Sequence, residues 1–456
     1  MMRWLVAVWL VAVWGTVSPA AEPVVWKAGA AAVKITPETS LRMAGYAGRK
    51  KPSEGVAQDL WAKALAVEDA QGSRAVIVTL DLIGMSRALR DWLEGEVQQR
   101  YGLPRAGLLM NASHTHCGPS LRPPWQPDPK QPAAQPKEPA EQYMVQLQQR
   151  LVAVVGDALK RLAPARLDFL RARAGFAMNR RRPTDLGFRN APSPDSPVDH
   201  EVPVLRVTDP QGKLVAVLFG YACHNTTMGD YLFRGDYAGY AQQYFQEDHP
   251  GTVAMFMAGC GADQNPYPRS KEELVRYHGR TLATAVEAAL QAVPRPLGGP
   301  LRTALEDVTL DFTPPPSRAE LEQFAANPKS PQRSSAQRLL KQLQETGKLR
   351  TSYSYPVQVL RFGQDLTLVA LAGEVVVDYA LRLKRELAGP AVWVAGYTND
   401  VLGYVPSARV LAEGGYEAGR GVAYGTLLGG FAPSLEERIV AKARQLAGTP
   451  RAPAAK

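Results

Sequence analysis

The chain of 456 residues is 45% apolar and 21% charged, enough for a sizeable buried core, and its composition excludes a disordered or fibrous protein. Its formal net charge of +10 suits anionic lipid surfaces or acidic glycans as partners, while no basic cluster matches a nucleic-acid-binding motif, so no nucleic-acid partner is expected. The cysteines are only Cys117, Cys223 and Cys260, an odd and sparse set that excludes a disulfide scaffold.

From the N-terminus, Arg3, the apolar run Trp4 to Trp14 and then Ser18-Pro19-Ala20-Ala21 read as the charged, hydrophobic and cleavage regions of a signal peptide. Residues 1–20 are therefore expected to be removed, placing the protein outside the cytoplasm, secreted or periplasmic. An uncleaved anchor is the alternative, because the apolar stretch approaches the lower limit for a membrane span. Apolar, β-branched runs at 75–80, 108–110, 202–207, 214–219, 253–257, 357–362, 366–371 and 392–395 predict strands. Helical periodicity at 86–101, 141–162, 271–292 and 317–349 predicts helices, the last opening on a Ser317/Glu320 capping box. This alternation predicts an α/β fold, mixed β-sheets flanked by helices in a single large domain over 21–446. Residues 121–139, rich in Pro, Gln and Lys, read as a surface loop and 447–456 as a disordered tail.

Three of the six histidines fall in two short motifs, Ser113-His114-Thr115-His116-Cys117-Gly118-Pro119 and Ala222-Cys223-His224-Asn225. Histidine is the commonest metal ligand. Leu108-Leu109-Met110 reads as the buried end of a strand, so residues two apart just beyond it project to the same side. The Gly118-Pro119 turn then places the imidazoles at a strand's carboxyl edge, where open α/β sheets bind ligands. Hydrogen-bonded loop histidines are the alternative reading. The same placement, a polar residue just past an apolar strand, recurs at His224, Asp263 and Glu374. These would form a ring at one sheet edge if the preceding strands were parallel neighbours. Beside the histidines, the cysteines read as small buried thiols, with a local disulfide or a thiolate ligand as alternatives.

The first motif resembles the His-Thr-His-Ser-Gly-Pro segment of the neutral/alkaline, non-lysosomal ceramidases, zinc amidases that split ceramide into sphingosine and fatty acid. Further matches lie in the same order. Met43-Ala44-Gly45-Tyr46-Ala47 resembles the family's Met-Gly-Tyr-Ala, Asn179-Arg180 its Asn-Arg-Ser, and Gly235-Asp236 with Gly239-Tyr240 its Gly-Asp-x-x-Gly-Tyr. Gly373-Glu374 resembles its Pro-Gly-Glu, and Gly403-Tyr404-Val405 followed by Tyr416-Glu417 its paired tyrosine segment. The resemblance covers residues 27–430, the family's catalytic part, and no C-terminal immunoglobulin-like domain is expected within this sequence.

The resemblance implies a zinc ion held by His114, His224, Glu374 and Tyr404, with His116, Arg180 and Tyr416 around the reacting centre. It implies attack of metal-activated water on an amide carbonyl, His116 carrying a proton and Arg180 or Tyr416 steadying the oxyanion. Asn265 falls where the family's proposed active serine stands, and Cys117 replaces the serine of the first motif. Asparagine cannot serve as that nucleophile, whereas a metal route needs none. Without the resemblance, Arg180-Arg181-Arg182 would read as a solvated basic run, Tyr404 and Tyr416 as packing residues, and Asp236 as a helix cap. Arg234-Gly235-Asp236 spells an adhesion tripeptide by coincidence, and His200, His249 and His278 read as surface or helix residues.

The expected function is an exported zinc-dependent amide hydrolase acting on an N-acyl lipid such as ceramide, with peripheral contact to a membrane surface. The alternatives are a zinc esterase or deacylase on acylated glycans, and a non-catalytic binding protein that retains the fold.

Overall fold

Three β-α-β crossovers set the frame, each bringing two parallel strands side by side with their carboxyl ends pointing the same way. A computed structural model describes residues 26–121, 138–330, 332–387, 389, 391–420 and 430–448. The expected signal peptide and most of the 121–139 loop and of the 447–456 tail lie outside the described residues. The first half of the chain runs β1 (Trp26–Lys34), β2 (Trp61–Asp69), β3 (Arg74–Leu80), α1 (Arg87–Tyr101), β4 (Leu108–Ala112), α2 (Pro139–Lys160) and β5 (Ala163–Arg173). It continues through β6 (Glu201–Thr208), β7 (Leu214–Tyr221), α3 (Asp236–Asp248), β8 (Val253–Ala258) and α4 (Glu272–Leu290). The second half holds β9 (Leu301–Asp311), α5 (Arg318–Ala326), α6 (Arg333–Thr346), β10 (Ser352–Phe362) and β11 (Leu366–Leu371). Last come α7 (Val377–Glu386), β12 (Val392–Ala395), α8 (Ala408–Glu413) and α9 (Leu435–Leu446).

A nine-stranded sheet carries the order β8-β7-β6-β5-β1-β2-β3-β4, with Arg295–Pro296 also paired to β5, and a four-stranded sheet carries β9-β10-β11-β12. The pairs β3/β4, β7/β8 and β11/β12 are parallel, joined through α1, α3 and α7, and the remaining neighbours in both sheets are antiparallel. This is the mixed-sheet α/β domain that the alternation of apolar runs predicts.

The layers follow from which residues each strand buries. One face of the large sheet packs α1 and α2 through Val76, Val78 and Met110 against Leu89, Leu93, Val97, Leu147 and Leu151. Farther along, Val204, Val217 and Phe219 pack α3 and α4 through Tyr237, Phe245, Val275 and Val286. The opposite face sets Ile77, Leu109, Leu218 and Met255 against Leu360, Leu368 and Trp393 of the small sheet. The small sheet's outer face is covered by α7 and α9 through Leu383, Ile439 and Val440. Strands buried on both faces read as continuous apolar runs, which is why β4, β7, β8, β11 and β12 are visible in the sequence.

Two expectations change. The single helix at 317–349 is two helices, because Asn327 precedes Pro328 and takes extended dihedrals (φ −80°, ψ 108°). The proline ring's clash with the preceding residue disfavours helix there. The Ser317/Glu320 capping box does open α5. Four of the longer strands, β1, β2, β5 and β9, have no counterpart among the expected ones. In β1, Trp26–Lys34 is dominated by alanine and glycine, and tertiary pairing to β2 overrides its weak strand propensity.

Candidate metal centre

The polar residues singled out from the sequence lie just beyond the carboxyl ends of parallel strands. His114 and His116 follow β4, His224 follows β7, Asp263 and Asn265 follow β8, and Glu374 follows β11. The expected ring of neighbouring strands is corrected in its topology. Only β7 and β8 are neighbours, β4 closes the other end of the large sheet, and β11 belongs to the small sheet. The ends meet because Asn111 of β4 accepts from the Ala258 N–H (2.9 Å) and donates to the Gly396 carbonyl (2.8 Å). Isolated bridges Thr115↔Asn225 and Gly259↔Ala395 complete the junction.

Backbone carbonyls orient two of the imidazoles. His114 Nδ1 lies 2.6 Å from the Ile83 carbonyl and His224 Nδ1 lies 2.8 Å from that of Gly261. A carbonyl only accepts, so each Nδ1 carries its hydrogen and each Nε2 presents a lone pair. Both Nε2 atoms stand 3.2 Å from Glu374 Oε2. The Tyr404 hydroxyl is 3.5 Å from His224 Nε2, and its strand, Tyr404–Val405, pairs in parallel with Glu374–Val375. His116 Nε2 lies 3.2 Å from His114 Nε2, while its Nδ1 is buried with no hydrogen-bond partner among the described residues. The ligand-capable nitrogens of His114, His116 and His224 all fall within 4.8 Å of one another.

These groups fit a metal ion. Two fixed lone pairs, a carboxylate oxygen and a phenolic oxygen are a nitrogen–oxygen donor set suited to zinc, and a tetrahedral site with bonds near 2.0–2.1 Å has edges of about 3.4 Å. The separations of 3.2, 3.2 and 3.5 Å among His114, Glu374, His224 and Tyr404 match that edge. His114 is held in the left-handed region at φ 62°, backbone strain of a kind that clusters at functional sites.

Arg180 and Asn265 adjoin this cluster. Arg180 donates through Nη2 to the Tyr404 hydroxyl (2.9 Å), through Nε to Glu417 (2.9 Å) and through Nη1 to Asn265 Oδ1 (3.2 Å). Glu417 also takes Arg181 Nη1 at 2.6 Å. The basic-run reading is thereby corrected for two of its three members: Arg180 and Arg181 are 4% and 2% exposed, their charges met by the buried Glu417 and, for Arg181, by Glu413 as well. Tyr416 sets its ring 5.2 Å from that of Tyr404 and remains 43% exposed, at the solvent side of the site.

The titratable groups are shifted in a consistent pattern. Burial, then Arg180, lowers His224 to about 4, and burial with the two neighbouring rings pushes His116 well below the usual histidine range. Burial alone would raise the Glu374 carboxyl, but His114 and His224 outweigh it and hold it well below the usual range. For Arg180, burial opposes the charge, yet Tyr404 and Glu417 raise it well above its ordinary value. Burial pushes the Tyr404 phenol well up against the pull of Arg180.

Other candidates take supporting positions. Asp263 does not join the ligand cluster; its carboxylate accepts from the Val377 N–H (2.9 Å) and Asn179 Nδ2 (3.0 Å), and burial raises it to about 6. Asp236 lies in the first turn of α3, behind the N-cap Gly235, and accepts from the Thr227 and Met228 N–H groups, fixing the loop after His224. All three cysteines are free and buried, and none belongs to a metal-capable cluster among the described residues. His200 and His249 bond to the Ala177 carbonyl and Glu287, and His278 is buried in α4.

Two residues of the site escape the sequence reading. Glu417 was marked only by the Tyr-Glu match, although two adjacent buried arginines demand an acid. Tyr397, 4.5 Å from His114 between ring centroids, follows β12 by two residues, so the strand-end placement that marked Glu374 marks it too.

Comparison with known proteins finds similarity to one family. A family model described as neutral/alkaline non-lysosomal ceramidase, N-terminal, matches residues 26–263. The neutral ceramidase of Pseudomonas aeruginosa is 23% identical over 314 residues, 61% of this chain but only 44% of that protein's length. Among solved structures, a ceramidase complexed with C2 aligns with a TM-score of 0.71 and 20% identity, covering 93% of this chain and 75% of that one. The crystal structure of the Pseudomonas aeruginosa neutral ceramidase gives the same TM-score and identity, covering 95% and 76%.

Proposed function

The chain belongs to the neutral/alkaline non-lysosomal ceramidase family, and we propose from that premise that it is an exported, zinc-dependent hydrolase cleaving the amide bond of an N-acyl lipid such as ceramide. The observation that carries the proposal is the convergence of His114, His224, Glu374 and Tyr404, with both ligand imidazoles fixed by carbonyls behind them. Zinc, when bound, lowers the pKa of a water and polarises a carbonyl.

The protein's own groups divide the remaining work. His114 and His224 are locked with Nδ1 protonated and act as ligands. Among the described residues no carbonyl holds the Nδ1 of His116, so its Nε2 is free to carry a hydrogen towards the centre. It is therefore the group that passes a proton to the leaving nitrogen. Arg180, held by Glu417 and Asn265, keeps one guanidinium nitrogen on Tyr404 and offers positive charge beside the place where the oxyanion develops. Tyr416 stands at the entrance, able to donate to the same oxygen or to the substrate's polar head. Asn265 serves as a clamp for Arg180 rather than as a nucleophile.

The net charge of +10 favours an anionic surface as the place where lipid is met. Among the described residues no helix is long and apolar enough to cross a membrane, which leaves peripheral contact as the proposed mode.

Asparagine at the family's serine position favours one second reading, hydrolysis of acylated glycans. Purified protein incubated with N-acyl sphingosines and, separately, with acylated sugars tests both. Release of fatty acid from the sphingolipid, abolished by a chelator and restored by zinc, is the expected result. Cleavage of the sugars alone would replace the proposal with the second reading, and no cleavage of either would point to a binding protein.

A further inference from the structure

Tyr397 is an anomaly beside the metal centre. Its side chain is fully buried, yet its hydroxyl has no hydrogen-bond partner among the described residues. A buried phenol without a partner keeps the whole desolvation penalty of its hydroxyl, a penalty that phenylalanine of the same shape would not carry. The backbone is strained as well, at φ 53° on a bulky residue.

That strained position is fixed by the strands that carry the ligands. The Tyr397 N–H donates to the Gly373 carbonyl (2.9 Å), directly before Glu374, and its carbonyl accepts from the Ala112 N–H (3.1 Å), two residues before His114. The ring lies 4.5 Å from that of His114 at 34° and stands perpendicular to that of His224 at 6.2 Å. Burial pushes the Tyr397 phenol well above the ordinary range, with the negative charge of Glu374 acting in the same direction.

We infer that Tyr397 is a positioning residue of the metal centre, a buried donor reserved for its oxygen ligands and for Glu374 foremost. The inference rests on the metal-centre reading above. Without the ion, the Glu374 carboxylate faces the Nε2 atoms of two imidazoles, and the phenol has no hydrogen-bond partner among the described residues. With the ion in place, the imidazole lone pairs turn to the metal, and the phenol becomes the donor that orients the carboxylate. Groups that fix a metal ligand from behind in this way raise metal affinity by about tenfold or more.

The test compares zinc-stripped wild type with Tyr397→Phe and His114→Ala. Zinc affinity is measured by competition with a chromophoric chelator, and thermal stability is measured before and after loading. Tyr397→Phe is expected to leave the zinc-free melting temperature unchanged or higher and to weaken zinc binding by about tenfold. Tyr397→Leu, which also lacks the hydroxyl, is expected to weaken binding at least as much. Zinc affinity within twofold of wild type in Tyr397→Phe would overturn the inference, as would a lower zinc-free melting temperature, the mark of a hydroxyl that only supports the fold. If wild type binds no zinc, the metal-centre reading itself fails, and the inference with it. Loss of zinc in His114→Ala with full retention in Tyr397→Phe would remove the inference alone.

Discussion

At the scale of single residues, the site separates three histidines that the sequence presents as alike. His114 and His224 have their tautomers set by the Ile83 and Gly261 carbonyls, whereas His116 has no such partner among the described residues. On that difference rests the proposal of two ligands and one proton carrier. Burial and Arg180 lower His224 from the ordinary 6.5 to about 4. Between those values the unfolded chain binds a proton at this position that the metal-free folded chain does not, so stability rises with pH across the window and is lost on acidification. The size is on the order of 3 kcal/mol for His224 alone. His116 acts in the same direction, while Asp263, raised to about 6, acts in the opposite one below that pH. Urea unfolding of chelator-treated wild type and His224→Asn should therefore show the wild-type advantage narrowing as pH falls from 6.5 towards 4. An advantage that stays constant over that range would contradict the assignment.

At the scale of elements, the ends of β4, β7, β8, β11 and β12 build the site, and their connecting turns need particular residues. Gly373 adopts φ +78°, and a Cβ there would lie 2.8 Å from the Gly403 carbonyl oxygen and 2.7 Å from Val405. That contact is what lets Glu374–Val375 and Tyr404–Val405 pair and bring two proposed ligands together. Gly373→Ala is expected to lower stability by about 1–3 kcal/mol and to weaken metal binding with it. Denaturant unfolding together with chelator competition would show this, and an unchanged zinc affinity would mean that the pairing does not set the ligand geometry. The same strand ends explain what can be read from the sequence. Runs such as 366–371 and 392–395 are buried on both faces and coincide with β11 and β12. The alanine-rich β1 depends on its partner, and the helix expected at 317–349 breaks before Pro328. His114, His224 and Glu374 are legible because each follows an apolar strand. Tyr404 and Arg180 are legible only through the family resemblance, since their partners lie 180 and 237 residues away in His224 and Glu417. Tyr397 carries the same strand-end signal after β12, and the junction of the two sheets brings it against His114.

At the scale of the whole molecule, two sheets packed face to face between helices bring strand ends from both sheets to one junction. The proposed ligands thus come from separate parts of the chain, residues 114, 224, 374 and 404, and they are brought together only when both sheets are joined. Metal binding at the proposed centre would be coupled to folding of the junction, so chelation is expected to loosen the small sheet's contact with the large one. The most direct measurement is the zinc content of the purified full chain, by elemental mass spectrometry, beside that of His114→Ala. The predicted result is about one zinc per chain in wild type and none in the variant. Wild type free of zinc after growth and purification with zinc present, or a variant that keeps its zinc, would contradict the four-ligand centre.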